Sequence, residues 1–325
     1  MKVFSRYFSV SLLRIGVALG LAGFFATSPA ASQETASAPD PWLSNYTEAV
    51  KQATKENKNI LLLFTGTDWI EICQIFDREI ANAPEFLKEV TKRFVLVELQ
   101  YPKDNKLPKD VAGQNQLLRD AYRIKGFPSV VLTHPDGKPF GLNGYQPIEP
   151  AEYAKQITAM GELGAQKAKI REEVESLEGM EKAKKLIEGI PDLPGNLSAR
   201  YFRKEMAHVI QLDEKRELEQ TGQFIRLLAD VEYSAEMQKL AKDVQWGKMI
   251  QLTDQYIREF KLEGLSLQKA LLNKSGVQAR QADQAGRAET LLSVVELDEK
   301  SPYGEEAQRQ LDQMRVDALQ QNLTQ

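Results

Sequence analysis

Short apolar runs and helical periods alternate along the first half of the chain. Three continuous apolar runs each have the length of one strand that is buried on both faces. They occupy residues 59–64, 94–99 and 129–133. Around these runs, apolar residues recur at the i, i+3, i+4 and i+7 spacing of an amphipathic helix. The predicted helices are a first one that contains Tyr46, Ala49, Val50 and Ala53, and further ones at residues 72–80, 84–90 and 114–122.

The third apolar run is followed by a turn and a return strand. Residues 135–138 read P-D-G-K, a sequence typical of a turn, and residues 139–142 are predicted to pair back as a short edge strand. A further helix begins at Glu149 and Pro150. This order predicts parallel strands joined by helices, with an antiparallel hairpin that closes the sheet. We therefore expect an α/β domain at residues 42–161.

The second half of the chain has a different pattern. Residues 162–325 are rich in Glu, Lys, Gln, Ala and Leu, which favour helix, and they contain almost no alternating β-branched runs. Breaks at residues 189–195, Gly264, Gly276 and residues 301–304 divide this half into five to seven predicted helices. We expect an all-α domain. A plain bundle and an irregular helical repeat both fit, because residues 289–314 resemble a tetratricopeptide-type hairpin but no period recurs.

The first 31 residues have the pattern of a secretory signal. Basic residues come first, an uncharged apolar run follows at residues 15–25, and small residues at 26–31 predict cleavage near Ala30 or Ala31. An uncleaved membrane anchor is the alternative, but the run has about half of the roughly 20 residues that a span requires. Residues 32–41 are polar and contain proline, which predicts a linker.

Charge and composition exclude several classes of function. The net charge of -4 and the pI of about 5.6 argue against nucleic-acid binding, which needs a basic stripe. The two histidines, His134 and His208, and the one cysteine, Cys73, form no local cluster of metal ligands. No metal and no cofactor are therefore expected. A single cysteine also cannot close an intramolecular disulfide, so any disulfide would be intermolecular.

The most informative motif lies at residues 64–80, which read F-T-G-T-D-W-I-E-I-C-Q-I-F-D-R-E-I. It resembles the thioredoxin superfamily, in particular secreted bacterial members with a motif near F-T-G-S-D-W-C-x-x-C-x-x-L-D-x-E-V. Further segments fit the family in the same order, at residues 84–86, 96–99, 126–128, 136–138 and 144–145. The resemblance covers roughly the first half of the mature chain. It implies a thioredoxin-like fold at residues 42–161 and a secreted, periplasmic protein.

The redox motif of that family is incomplete in this chain. Ile70 takes the position of the first cysteine, and only Cys73 remains at the second. Dithiol exchange needs an attacking thiolate at the helix N-terminus and a resolving thiol one turn later, and an isoleucine side chain can neither ionise nor exchange. Cys73, Phe76 and Ile80 share one helix face, which predicts a buried thiol. The alternative is an accessible thiol that forms an intermolecular disulfide or a sulfenic acid.

A second family feature is the dipeptide Phe127-Pro128. The resemblance implies a cis-proline loop that lies beside the cysteine positions and pairs with substrate peptides through its backbone. The candidate binding residues are Trp69, Ile70, Cys73, Phe127 and Pro128, which would converge in an apolar patch. The alternative is a surface that has no ligand and is partly covered by the helical domain.

Three functions remain in competition. The favoured one is a non-catalytic adaptor of the periplasm that binds a peptide or a protein partner. The second is a single-thiol redox protein that acts through Cys73, and the third is a structural helical scaffold. Whether the chain is an enzyme stays open, although the incomplete motif argues against it. The expected partner is a polypeptide, not nucleic acid, and no membrane span is expected after signal cleavage.

Overall fold

The structure is a computed structural model that describes residues 41–103 and 107–323. The predicted signal segment at residues 1–31 and all but the last residue of the predicted linker lie outside the described residues. The strands are β1 (Trp42–Leu43), β2 (Asn59–Thr65), β3 (Phe94–Gln100), β4 (Ser129–Thr133) and β5 (Pro139–Gly144). The first helices are α1 (Tyr46–Glu56), α2 (Glu71–Phe76), α3 (Pro84–Val90), α4 (Lys109–Ala121) and α5 (Pro150–Glu173).

One mixed sheet organises this first region. The strand order is β1-β3-β2-β4-β5, with β1, β3 and β2 parallel to one another. Strand β4 runs antiparallel to β2, and β5 runs antiparallel to β4. The predicted parallel strands with a closing antiparallel hairpin are therefore confirmed. The two-residue strand β1, which pairs Trp42 with Leu96, was not predicted because it is too short to show a period.

Both faces of the sheet are covered, as the continuous apolar runs predict. Alternate residues of β2 enter different cores, since successive strand side chains point to opposite faces. Leu61 and Leu63 lie in a cluster with residues of α3 and α5. Ile60, Leu62 and Phe64 lie in a second cluster with residues of α1 and α4.

The helix that carries Cys73 changes its geometry along its length. It begins as α2 with Ile70 as its N-cap residue, and it continues from Asp77 to Ala81 as one π-helical turn. The predicted helix at residues 72–80 is thus helical throughout but not uniformly α-helical. The predicted helix at residues 114–122 begins earlier, at Lys109.

Helix α5 lies very close to the sheet. A Cβ atom on Gly164 would lie 2.4 Å from Cδ2 of Phe140, so only glycine permits this approach. Helix α5 continues to Glu173 and crosses the predicted domain boundary at residue 161 without a break. The boundary itself stays a prediction.

The rest of the chain is helical, as predicted. Its helices are α6 (Gly179–Gly189), α7 (Gly195–Tyr201), α8 (Arg203–Leu212), α9 (Glu219–Lys242), α10 (Trp246–Phe260), α11 (Gly264–Arg280), α12 (Gln284–Leu297) and α13 (Pro302–Leu323). The predicted number of five to seven is therefore too low for the described part of this half. The break predicted at Gly276 is wrong, because that residue lies inside α11. From α9 onward each helix packs mainly against its neighbours in sequence, an arrangement closer to a helical repeat than to a closed bundle.

The helical region contacts the sheet region through α7. Leu197 is buried in the cluster that contains Phe64, and the ring of Tyr201 stacks on Tyr122 at a centroid distance of 5.7 Å. Lys138 also forms an ion pair with Glu205 at 3.1 Å.

Within the described ranges, no helix is both long and apolar enough to cross a bilayer.

Candidate functional site

The loop between β2 and α2 places Trp69 at the surface. The indole Nε1 of Trp69 donates a hydrogen bond to the carbonyl oxygen of Tyr101 at 2.8 Å, and 49% of the residue remains exposed. Gly66 makes this fold of the loop possible, because a Cβ atom there would lie 2.7 Å from the indole nitrogen. The Trp69 side chain is thereby fixed against the end of β3 with much of its ring open to solvent.

Ile70 and Cys73 occupy the positions of the redox motif but provide no exposed thiol. The carbonyl of Ile70 accepts hydrogen bonds from the backbone N–H groups of Cys73 and Gln74, so Ile70 marks the start of the helix. Cys73 is 0% exposed, and Phe76 and Ile80 are buried beside it on the same face. The predicted inward face is therefore confirmed. No sulfur atom stands at the exposed end of this helix.

Aromatic side chains form the opposite side of the site. The peptide bond between Phe127 and Pro128 is cis, as the resemblance implied. The ring of Phe127 stacks on Tyr101 with centroids 4.7 Å apart, and the guanidinium of Arg119 lies 5.3 Å from the Phe127 centroid. The Tyr101 hydroxyl donates to the backbone oxygen of Asn115 at 2.5 Å.

The buried position of Tyr101 affects its ionisation. Burial raises the pKa of the Tyr101 hydroxyl well above its ordinary value, and the nearby charge of Arg119 acts in the opposite direction. Tyr101 is therefore a neutral hydrogen-bond donor at physiological pH. It does not serve as an acid or a base there.

These side chains line a cavity of about 440 Å³, which we call the aromatic groove. Its walls are Trp69, Gln100, Tyr101, Pro102, Lys103, Leu107, Ala112, Asn115, Gln116, Arg119 and Phe127. The groove combines aromatic surface with a few amides and cations, a composition typical of ligand sites. All of the lining residues precede residue 128, so the helical region does not cover the groove.

The structure brings together only part of the predicted site. Trp69 and Phe127 face the same groove, as expected. Ile70 is half-buried beside Gly66, and Cys73 and Pro128 are buried; none of these three lines the groove. A contribution of Ile70, Cys73 and Pro128 to ligand binding stays a prediction, and any such role would be indirect.

Sequence reasoning missed the residues that complete the groove. Tyr101 directly follows β3, and its role in the groove depends on stacking with Phe127, which lies 26 positions later in the sequence. The residues from α4 did carry a signal, because Ala112, Asn115, Gln116 and Arg119 recur at i, i+3, i+4 and i+7. Such a polar helix face is easily interpreted as solvent-exposed surface.

Metal ligands do not gather anywhere in the described ranges, where no group of three or more His, Cys, Asp or Glu residues could hold an ion. His134 does not line the groove, and its Nδ1 atom lies 3.1 Å from the Asn59 side-chain oxygen. Desolvation by burial lowers the pKa of His134, and the nearby charge of Arg171 lowers it further.

Comparisons with known proteins agree on the first region of the chain. A family model described as a thioredoxin-like domain matches residues 46–160. The chain is 31% identical over 113 residues to the disulfide bond reductase DsbH of Chlamydia pneumoniae, which corresponds to 35% of this chain and 68% of DsbH. It is also 31% identical over 91 residues to the thioredoxin-related protein DsbJ of the same organism, but this match covers only 26% of DsbJ.

Solved structures match the same part of the chain. The DsbH oxidoreductase structure has 30% sequence identity and a TM-score of 0.36, and the match covers 38% of this chain and 84% of that chain. The reduced C-terminal domain of DsbD from Neisseria meningitidis has 20% identity and a TM-score of 0.27, and the match covers 34% of this chain and 89% of that domain.

Proposed function

Because the chain belongs to the thioredoxin superfamily, we propose that it is a non-catalytic, periplasmic protein that binds an extended polypeptide in the aromatic groove. The observation that carries the proposal is an open groove beside a helix start that has no thiol. Trp69 and Phe127 offer apolar surface at the groove, while Ile70 stands at the start of α2.

The walls of the groove suit an extended polypeptide. Apolar side chains of a ligand would contact the rings of Trp69 and Phe127, since aromatic side chains contribute much of the binding energy at interfaces. The exposed side-chain amide of Gln116 would pair with a backbone group of the ligand, whereas the Asn115 amide is buried and already hydrogen-bonded to Gln100 and Gln114. This mode of recognition needs no reaction and no cofactor.

We do not extend the reductase activity in the name of DsbH to this chain. Exchange of a disulfide by a C-x-x-C motif requires two thiols, and the chain has one cysteine, whose side chain is buried. The match also covers 35% of this chain, so it gives no information on the helical region.

The first experiment measures binding of a fluorescein-labelled, unstructured decapeptide with leucine at alternate positions. We expect saturable binding that Ala112→Phe, which would fill the groove, weakens by about tenfold or more, because a leucine or aromatic anchor contributes about 1–3 kcal/mol. Trp69→Ala should weaken binding in the same direction. Leu117→Ala is the matched control, because Leu117 lies on the same helix, is 73% exposed and does not line the groove. Equal affinity of the Ala112→Phe variant and the control would contradict the proposal.

The second experiment separates binding from redox chemistry. We expect the native protein to react with a small thiol reagent far more slowly than the unfolded chain at every pH, since Cys73 is 0% exposed. A fast native reaction would instead support single-thiol chemistry. The Ile70→Cys variant restores the C-x-x-C pair. If this variant gains reductase activity and the wild-type protein binds no polypeptide, the adaptor function is refuted.

A further inference from the structure

A second and larger cavity lies where the helical region meets the sheet region, and we call it the basic cleft. Its volume is about 690 Å³, and it lies between the end of α4, α7, α9 and the start of α11. A cleft of this volume accommodates a ligand of many atoms rather than a single small ion. It is separate from the buried thiol, and the proposed function does not use it.

The charged residues of this cleft are mostly cations. Two acidic side chains, Asp120 and Asp230, line it. The cationic residues that line it are Arg119, Arg123, Lys125, Arg200, Arg226 and Lys269. The protein as a whole has a net charge of -4, so the charge of the cleft is opposite in sign to the net charge of the protein.

The cations of the basic cleft form no close ion pairs within the described part of the protein. None of the six forms an ion pair with a carboxylate anywhere in the described ranges. The hydroxyl of Tyr256 donates a hydrogen bond to Asp230, and burial raises the pKa of this carboxyl. The charges of Arg226 and Lys269 act on Asp230 in the opposite direction, so this acid offsets part of their charge, but six cations against two acids still leave an excess of positive charge inside a concave surface.

Arg119 connects the two cavities. It lines the basic cleft and also the aromatic groove, where its guanidinium lies over the rings of Tyr101 and Phe127. A chain bound along the groove can therefore continue past Arg119 into the cleft. The two surfaces together favour a ligand with apolar side chains in one part and acidic side chains in the next.

We propose that the basic cleft binds an acidic polypeptide segment, which belongs to the same partner chain that occupies the aromatic groove. This inference rests on the proposed polypeptide-binding function, and it adds that the partner chain carries an acidic segment. Nucleic acid is a poorer match, because the aromatic rings that line the cleft do not form a stacking platform for successive bases. The rings of Tyr233 and Tyr256 also stack on each other at 4.4 Å and are not spaced to receive bases.

The test uses the full-length protein, with a fluorescein-labelled decamer of glutamate as the probe. We expect saturable binding near neutral pH that weakens as salt rises from 50 to 500 mM, since screening acts on ion pairs. A labelled decamer of glutamine should not bind. Absence of glutamate-decamer binding, or equal binding of the two decamers, would overturn the proposal.

A charge-reversal variant locates the binding. Lys125→Glu/Lys269→Glu changes one residue on each side of the cleft, and both side chains are exposed and form no hydrogen bond or ion pair in the described structure, so folding should be preserved. We expect this variant to bind the glutamate decamer about tenfold or more weakly. The matched control Lys184→Glu/Lys248→Glu makes the same change of net charge at exposed helical positions outside the cleft. Equal affinities of the two double variants would overturn the proposal.

Two competitors identify the ligand class. If unlabelled inorganic phosphate at 5 mM displaces the glutamate decamer completely, the cleft is a small-anion site and the proposal is wrong. If a labelled decamer of thymidylate binds more tightly than the glutamate decamer, the occupant is nucleic acid and the proposal is also wrong. Loss of leucine-peptide binding in the Ala112→Phe variant tests the groove alone, so failure of the two proposals can be distinguished.

Discussion

The sheet region and the helical region are stabilised in different ways. The sheet region buries two large clusters whose members come from segments far apart in sequence, such as Leu61, Phe94 and Ile157 in one of them. The helical region buries smaller clusters between consecutive helices, such as Leu291 and Leu311 of α12 and α13. The first should therefore unfold as one cooperative unit, whereas the second should open in parts.

The largest effect is expected from a truncation in the sheet core. Phe94 is 1% exposed and contacts Gly161 of α5, so Phe94→Ala should lower the free energy of unfolding by about 3–5 kcal/mol. Urea denaturation would measure this loss, and all of the strands should lose protection from hydrogen exchange together. The exposed Leu117→Ala variant should change the stability by less than about 0.5 kcal/mol. Loss of protection in a single strand would contradict a cooperative sheet region.

A truncation in the last helices should have a smaller and more local effect. Leu291 is 0% exposed, and Leu291→Ala should destabilise the packing of α12 by about 2–4 kcal/mol. Hydrogen exchange should then increase in α11, α12 and α13 and remain unchanged in β2 and β3. The adjacent Leu292, which is 47% exposed, provides the matched control Leu292→Ala. If the strands lost protection as well, the two regions would be one cooperative unit and the comparison would fail.

The contact between the regions sets how strongly they are coupled. Tyr201→Ala removes the ring that stacks on Tyr122, and it should weaken the coupling by about 1–2 kcal/mol. Thermal unfolding followed by calorimetry should then show two transitions that are further apart than in the wild type. Tyr201→Phe keeps the ring and should retain the wild-type separation. An unchanged profile for Tyr201→Ala would assign the coupling to other contacts of α7.

The smallest effect is a pH dependence at His134, on the sheet side of the junction. Its pKa is lowered by burial and by the charges of Arg171 and Lys138, while Asp136 acts in the opposite direction. The unfolded chain therefore binds more protons than the native protein just below about pH 6.5. The stability that comes from neutral His134 is complete above that pH and is lost as the pH falls toward the folded pKa.

Urea denaturation between pH 7.5 and 5 checks the sign of this effect. The slope of stability against pH should be shallower in His134→Gln than in the wild type. An unchanged slope in His134→Gln would mean that other groups cause the pH dependence.

The sequence predicted the sheet region well because its signals are local. Continuous apolar runs mark β2, β3 and β4, and the turn at residues 135–138 marks the hairpin to β5. The inward face of Cys73 followed from helical spacing alone. Strand β1 and the π-helical turn after Phe76 were not predicted, because neither leaves a periodic pattern of its own.

Helical boundaries were predicted less well in the second half. Gly276 was interpreted as a break, but packing of α11 against its neighbours outweighs the roughly 1 kcal/mol by which glycine disfavours a helix. The break at residues 189–195 was correct, and the break predicted at residues 301–304 lies slightly earlier, at residues 298–301, because Pro302 begins α13.

The sequence by itself determined that the attacking cysteine is replaced by Ile70 and that Trp69 and Phe127 flank the motif, because motif identity is a property of residue order. Only the tertiary structure decided that Tyr101 and Arg119 complete the aromatic groove and that Leu197 of α7 joins the cluster that contains Phe64. The basic cleft also depends on the fold, since its cations lie up to 150 positions apart, from Arg119 to Lys269. The physical reason is that local periodicity encodes helices and strands, whereas packing between distant segments determines which side chains share a surface.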